Sequence, residues 1–122
     1  WATRECLAAQ GAKEQSVRSN GDGTARSAVF DILRRKNWPA PYDFRAIRND
    51  LHRQWEERIE ALRADPGPVR TVYDAAVKAG DFSAAHATVG EAVGLIADCP
   101  PAGEVIERMG QQARDRLACL SR

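Results

Sequence analysis

Asp43-Phe44-Arg45-Ala46-Ile47-Arg48-Asn49-Asp50-Leu51-His52-Arg53-Gln54-Trp55-Glu56-Glu57-Arg58-Ile59-Glu60-Ala61-Leu62-Arg63-Ala64 is the stretch whose reading decides the fold. Phe44, Ile47, Leu51, Trp55, Ile59 and Leu62 recur at steps of 3, 4, 4, 4 and 3. That spacing predicts one helix over 44–64 with a continuous apolar stripe, capped by Asp43. Arg45, Arg48, Arg53, Glu56, Glu57, Glu60 and Arg63 fall on the opposite face. Exposed pairs such as Glu60 with Arg63 contribute only tenths of a kcal/mol, so burial of the stripe has to hold the helix.

Working outward, the prolines of Trp38-Pro39-Ala40-Pro41 remove amide donors and fix φ, which predicts a rigid extended connector. Asp65-Pro66-Gly67-Pro68 ends the helix on the other side. Val69, Val72, Tyr73, Ala76 and Val77 mark a second amphipathic helix stopped by Gly80, and Asp81 or Ser83 is the candidate cap of the next short piece. Gly90 to Ala97 is apolar all round apart from Glu91, a pattern expected of a helix buried between other elements. After the break at Asp98-Cys99-Pro100-Pro101, Val105, Ile106, Met109, Ala113, Leu117 and Leu120 stripe a closing helix. Toward the amino terminus, Thr3 is the candidate cap of a short helix that Gly11 interrupts, and Ala12 to Ser19 add a turn or two. Asn20-Gly21-Asp22-Gly23 is a turn signal. In 24–33 the alternation of Ala28, Phe30 and Ile32 favours an extended segment over a helix. The expectation is therefore an all-α fold of about five helices with one extended stretch, forming a single region over 1–122.

Composition removes several function classes. Eighteen basic residues against seventeen acidic give a net charge of +1, whereas a nucleic-acid-binding domain would be clearly basic. The arginines interleave with Asp and Glu, as solvated helix faces do. Cys6, Cys99 and Cys119 are odd in number and widely spaced, which fits neither a disulfide framework nor a zinc site. No run approaches the roughly 18 apolar residues of a membrane span, and no charged-then-apolar leader opens the chain. A cytoplasmic chain with no membrane or nucleic-acid partner is expected.

No self-contained active site is legible. His52 lies on the polar side of the 44–64 helix, where a solvated side chain is expected, and His86 has no Cys or Asp at catalytic spacing. Glu56 and Glu57 diverge on a helix, and the glycines at 21, 23, 90 and 94 match neither a P-loop nor GxGxxG. No catalytic, cofactor-binding or metal-binding residue is assigned. The chain starts on Trp1 without an initiator Met, which suggests numbering that begins inside a longer protein.

The ordered motifs resemble a known family, the flavin-dependent nitronate monooxygenases (2-nitropropane dioxygenases). Trp1-Ala2-Thr3-Arg4-Glu5 is similar to the Phe-x-Ala-Thr-x-Glu stretch that follows that family's flavin-phosphate Gly-Thr, and Lys13 matches a recurrent lysine. Thr24 through Val29-Phe30-Asp31 resembles its Asp-Thr-x-x-Thr-x-Val-Phe-Asp segment. Trp38-Pro39, Arg45-Ala46-Ile47-Arg48-Asn49 and Trp55 resemble its Trp-Pro…Gly-Arg-Ala-x-Arg-Asn…Trp block. Gly80-Asp81 and Gly90-Glu91-Ala92-Val93-Gly94-Leu95-Ile96 are similar to its Gly-Asp…Ala-Gly-Glu-x-Val-Gly-Leu-Ile, and Pro101-Ala102 with Glu104-Val105-Ile106 to its closing helix. Phe44 and Val89 depart from the family's usual Gly and Ala, both as packing changes.

The resemblance implies that 1–122 is the C-terminal helical region of a TIM-barrel enzyme carrying FMN at the carboxyl ends of its strands. The parent would oxidise alkyl nitronates with dioxygen to a carbonyl compound and nitrite. Its catalytic histidine and flavin-binding residues would lie on the barrel, upstream of Trp1, so the region alone would be inactive and bind no FMN. Its partner would be the barrel of the same polypeptide. Gly90 and Glu91 are the substrate-pocket candidates, because glycine allows close backbone approach; Glu91 equally suits a charge at the start of its own helix. Arg45 and Asn49 suit tethering of their helix to a neighbouring loop. Related flavin barrels, the enoyl-thioester reductases, carry a similar tail, so the parent's substrate stays open. The alternative is a stand-alone helical interaction module with the 44–64 stripe as its docking face.

Overall fold

The structure, a computed structural model, describes residues 2–39 and 41–120. Trp1 of the amino-terminal motif and Ala40 of the proline connector lie outside the described residues. The fold is mostly helical, as the sequence predicts. Its elements are α1 (Gln10–Arg18), β1 (Thr24–Arg26), α2 (Val29–Leu33), β2 (Arg45–Ile47), α3 (Asp50–Trp55), α4 (Ile59–Ala64), α5 (Gly67–Ala79) and α6 (Ala102–Leu120). Short 3-10 turns occupy Gly21–Gly23 and Glu91–Leu95.

The single helix expected over 44–64 does not form; the stretch becomes β2, α3 and α4. Arg45, Ala46 and Ile47 pair antiparallel with Arg26, Ala25 and Thr24. The Ile47 amide donates to the Ala87 carbonyl (3.1 Å), and Ala46 bridges Thr88, so 87–88 lies against β2 as a third extended segment. These amides are committed to neighbours far away in sequence and cannot serve an i→i−4 ladder. Asn49, extended at φ −120° and ψ −175°, starts a new helix by accepting from the His52 amide (2.9 Å). Arg58 (φ −124°, ψ 34°) breaks the run again before α4.

The stripe is still buried, from three elements rather than one. Ala46, Leu51 and Leu62 join Val29, Phe30, Leu33 and Tyr73 in the main core, with Phe44, Trp55 and Ile59 packed on its edge. The 44–64 stripe is therefore not the open docking face that the interaction-module alternative expects. A second, smaller cluster gathers Ala12, Ile47, Ala87, Val89 and Val93.

The segment 24–33 is extended only at Thr24–Arg26 and then turns into α2. Val29, Phe30 and Leu33 are all buried by that helix, and a strand would send Val29 and Phe30 to opposite faces. The helix expected from Thr3 is replaced by turns, and α1 starts at Gln10 with Gly11 inside it. Glycine is needed there because a Cβ would sit 2.8 Å from the Phe82 ring. The turn at 20–23 forms as expected, with the Gly23 amide donating to Asn20 Oδ1 (2.8 Å). Gly80 ends α5 in the left-handed conformation at φ 70°, and Asp81 receives the Ser83 amide (2.9 Å).

One expectation about the last third changes, and the closing helix forms as expected. Glu91–Leu95 is a 3-10 turn that buries only Val93, with Leu95 87% exposed. The long helix α6 buries none of its residues, and Ile106, Met109 and Leu120 face outward. Its start is fastened by Glu5, whose carboxylate accepts from the Ala102 amide (2.9 Å), and by the Arg4 amide on the Pro100 carbonyl (3.0 Å). The backbone amides of Glu5 itself and of Ala102 hold the Glu5 carboxyl below the usual range. Lys13, nearly buried, donates to the Arg4 carbonyl (3.1 Å), so the family-like lysine secures the amino-terminal segment. No helix among the described residues is long and apolar enough to cross a membrane.

Candidate functional site

The two-stranded sheet, the strap that precedes β2 and the turn after Thr88 enclose one open groove of about 870 Å³. Phe44, Trp38 and Tyr42 give it aromatic walls, and Thr88, Val89 and Gly90 its backbone edge. Arg26, Arg45, Asp43 and Glu91 supply its charges.

Antiparallel register puts Arg26 and Arg45 directly opposite each other, so their side chains leave the same face of the sheet. Arg45 is held: one guanidinium nitrogen donates to Thr24 Oγ1 (2.8 Å) and another lies 3.6 Å from Glu91. This is the tether expected of Arg45, but it runs from a strand rather than a helix. Asn49 also tethers: its amide donates to the carbonyls of Ala85 (2.8 Å) and Phe82 (3.3 Å). Those bonds fix the loop that carries Thr88 to Glu91 into the groove. Gly90 and Glu91, the two pocket candidates, line this groove, and Glu91 also opens its own 3-10 turn.

Asp31 anchors the strap from below. It is 4% exposed, and Oδ2 accepts from the Phe44 amide (3.0 Å), with the Trp38 side chain a further donor toward the carboxyl. Burial raises its pKa above the usual carboxylate value, against the pull of the Phe44 amide. Arg34 stacks over the Phe44 ring at 4.7 Å and steadies the same wall.

His52 is not the solvated side chain that the sequence suggests, and His86 is held by aromatic neighbours rather than by a Cys or Asp. His52 is 1% exposed, not solvated, because α3 starts at Asp50 and turns it toward Phe30 (ring centroids 5.8 Å). Its Nε2 meets Ser27 Oγ at 2.7 Å; the Glu56 carboxylate lies 3.1 Å from Nδ1, off the line a hydrogen bond needs. His86 packs among Phe30, Phe44 and Tyr73, with the Tyr73 hydroxyl 2.6 Å from Nδ1. Burial lowers both imidazole pKa values and raises that of Tyr73. Phe30 thus separates two hydrogen-bonded histidines that lie away from the groove lining.

Sequence reasoning missed Arg26, Tyr42, Asp43 and Thr88 as groove residues. The available signal was period-two alternation, Thr24 with Arg26 and Arg45 with Ile47, hidden under the helical spacing of 44–64. Among the described residues no group of three His, Cys, Asp or Glu side chains could hold a metal ion. Two of the glycines pack against each other's turns: a Cβ on Gly21 would meet the Glu91 carbonyl at 2.8 Å, and one on Gly94 the Gly21 amide nitrogen at 2.9 Å, whereas one on Gly90 would meet nothing within 4 Å.

No protein-family model matches the chain, and no curated protein does. Among solved structures it is similar to FabK from Thermotoga maritima, at a TM-score of 0.69 and 18% identity, over 98% of this chain and 36% of that one. A single-substitution mutant of the same FabK gives a TM-score of 0.64 at 20% identity, over 98% and 32%. At these identities the likeness is one of fold, and the chain, a mostly helical fold with one small sheet, spans about a third of the length of the solved chains it matches.

Proposed function

We propose that this chain is the helical C-terminal region of a flavin-dependent barrel oxidoreductase resembling the nitronate monooxygenases, and that its groove closes one side of the parent's substrate pocket. The observation that carries this reading is convergence. Three separate family-like segments, 24–31, 45–49 and 90–96, meet at one groove and its supports. The exposed apolar stripe of α6 supports it too, since Ile106, Met109 and Leu120 suit packing on the barrel. In this reading the parent oxidises alkyl nitronates with dioxygen to a carbonyl compound and nitrite.

Gly21 and Gly94 abut the chain's own backbone, so neither of these two turns offers a cradle for the FMN phosphate. The flavin then belongs to the barrel, where it supplies the redox chemistry. This chain's part is to wall the pocket: Asp31 and Arg34 hold the aromatic strap, and Asn49 holds the Thr88–Glu91 edge.

The test begins with the coding DNA upstream of the Trp1 codon. An in-frame stretch of roughly 200 or more residues, a barrel's worth, is expected. The intact protein should be yellow and should consume oxygen and release nitrite with a nitronate. A start codon within a few residues of Trp1, or a colourless intact protein, would overturn the proposal. A yellow protein that ignores nitronates but reduces an enoyl thioester would keep the barrel and replace the substrate.

A further inference from the structure

We infer that the groove takes an anionic ligand with a planar apolar body, an aryl carboxylate or aryl phosphate, anchored by Arg26. The inference deepens the proposed function, on which it rests for the site's place in the parent. Two guanidiniums directly opposite on one antiparallel pair repel each other, a cost that a bound anion between them removes. Arg45 has a partial answer in Glu91, but at 3.6 Å and with that carboxylate 77% exposed the pair is screened by solvent. Arg26 has no carboxylate within ion-pair distance among the described residues.

The rest of the lining selects the ligand's body. Trp38 and Tyr42 are 57% and 63% exposed beside Phe44, so aromatic surface flanks the guanidiniums without being covered. Rings of this kind suit stacking on a flat apolar group. Thr24 Oγ1 and the buried strap anchor Asp31 hold Arg45 and Phe44 in place beforehand, which lowers the ordering cost of binding. Asp43 and Glu91 are the lining carboxylates that oppose an anion; Glu91 answers Arg45, so removal of Asp43 is the change expected to strengthen binding at Arg26.

The experiment is calorimetric titration of the intact protein with phenyl phosphate, phenol, benzylamine and inorganic phosphate. Phenyl phosphate should bind about fivefold tighter than phenol, the ratio expected of one partly exposed ion pair. The preference should shrink in about 0.5 M salt as screening shortens the range of the charges. Arg26→Gln, an exposed change, should bring phenyl phosphate down to the phenol level, and Asp43→Asn should raise it. Trp38→Ala should weaken both aryl ligands and leave their ratio unchanged. An unchanged ratio in Arg26→Gln, a preference for benzylamine, or no aryl binding at all would each overturn the inference. Flavin absorbance and nitronate-dependent oxygen uptake in the same preparation report on the parent reading separately. Turnover without anion preference sinks only this inference, and anion preference in a flavin-free protein sinks only the parent reading.

Discussion

Replacing Asn49 tests how a single buried side chain holds the groove edge. Asn49 is 8% exposed and makes three bonds: it caps α3 through the His52 amide and donates to the Phe82 and Ala85 carbonyls. In Asn49→Ala the lost cap costs about 1 kcal/mol. The Ala85 carbonyl, on a residue 3% exposed, loses its side-chain donor at a further ~1–3 kcal/mol. The sum, about 2–4 kcal/mol, is a large part of the 5–15 kcal/mol that typically holds a domain. Asn49→Asp keeps the cap acceptor but turns a donor into a carboxylate facing two carbonyls, so it should lose nearly as much. Asn49→Ser, which keeps only the cap, should fall between wild type and Ala. Urea unfolding of the intact protein, read at constant m, measures all three. Amide exchange at Ile47 should accelerate in the Ala variant, because the Ile47 bond to Ala87 depends on the loop Asn49 holds. A loss below about 0.5 kcal/mol, the range of ordinary surface changes, or an Asp variant as stable as wild type, would refute the reasoning.

Four further outcomes follow from the same geometry. Burial holds His52 and His86 below their ordinary 6.5, so the stability they give is present above that pH and lost as pH falls through their depressed folded values. His52→Gln should flatten this acid limb in a pH series of urea midpoints. Asp31 acts in the opposite sense: its pKa is raised from 3.8, so its contribution is lost as pH rises through the folded value. Asp31→Asn, which keeps an acceptor for the Phe44 amide, should be as stable as wild type or more so at pH 7, while Asp31→Ala should cost about 1–3 kcal/mol in the same assay. Gly94→Ala places a Cβ 2.9 Å from the Gly21 backbone and should cost about 1–3 kcal/mol through overpacking, measured by the thermal midpoint. Produced alone, residues 1–122 should bind a hydrophobic dye through the exposed face of α6 and unfold without a sharp transition; cooperative unfolding as a dye-free monomer would count against the barrel reading.

Local chemistry made much of this chain legible before any coordinates. The turn at Asn20–Gly23 and the stop at Gly80 follow from residues that tolerate unusual backbone geometry. The start of α6 after Pro100-Pro101 follows from proline's fit to a first helical turn, and the mostly helical class from the spacing of apolar residues. The identity of the stripe residues was right as well, since Leu51 and Leu62 do reach the core. Sequence could not say that Arg45–Ile47 would leave the helix, because helical spacing and strand alternation both place Ile47 inward. Only β1 and the 87–88 segment decide it, by taking the backbone bonds a helix would have used. The one local hint was Asn49 before Asp50, a cap inside an apparent helix. The burial of His52 and the charged groove have the same origin. A broken helix changes the phase of every later side chain, and cross-strand register brings Arg26 beside Arg45, nineteen positions away in the chain. Periodicity specifies which residues avoid water; which neighbours they meet is fixed only when distant backbone groups find their partners.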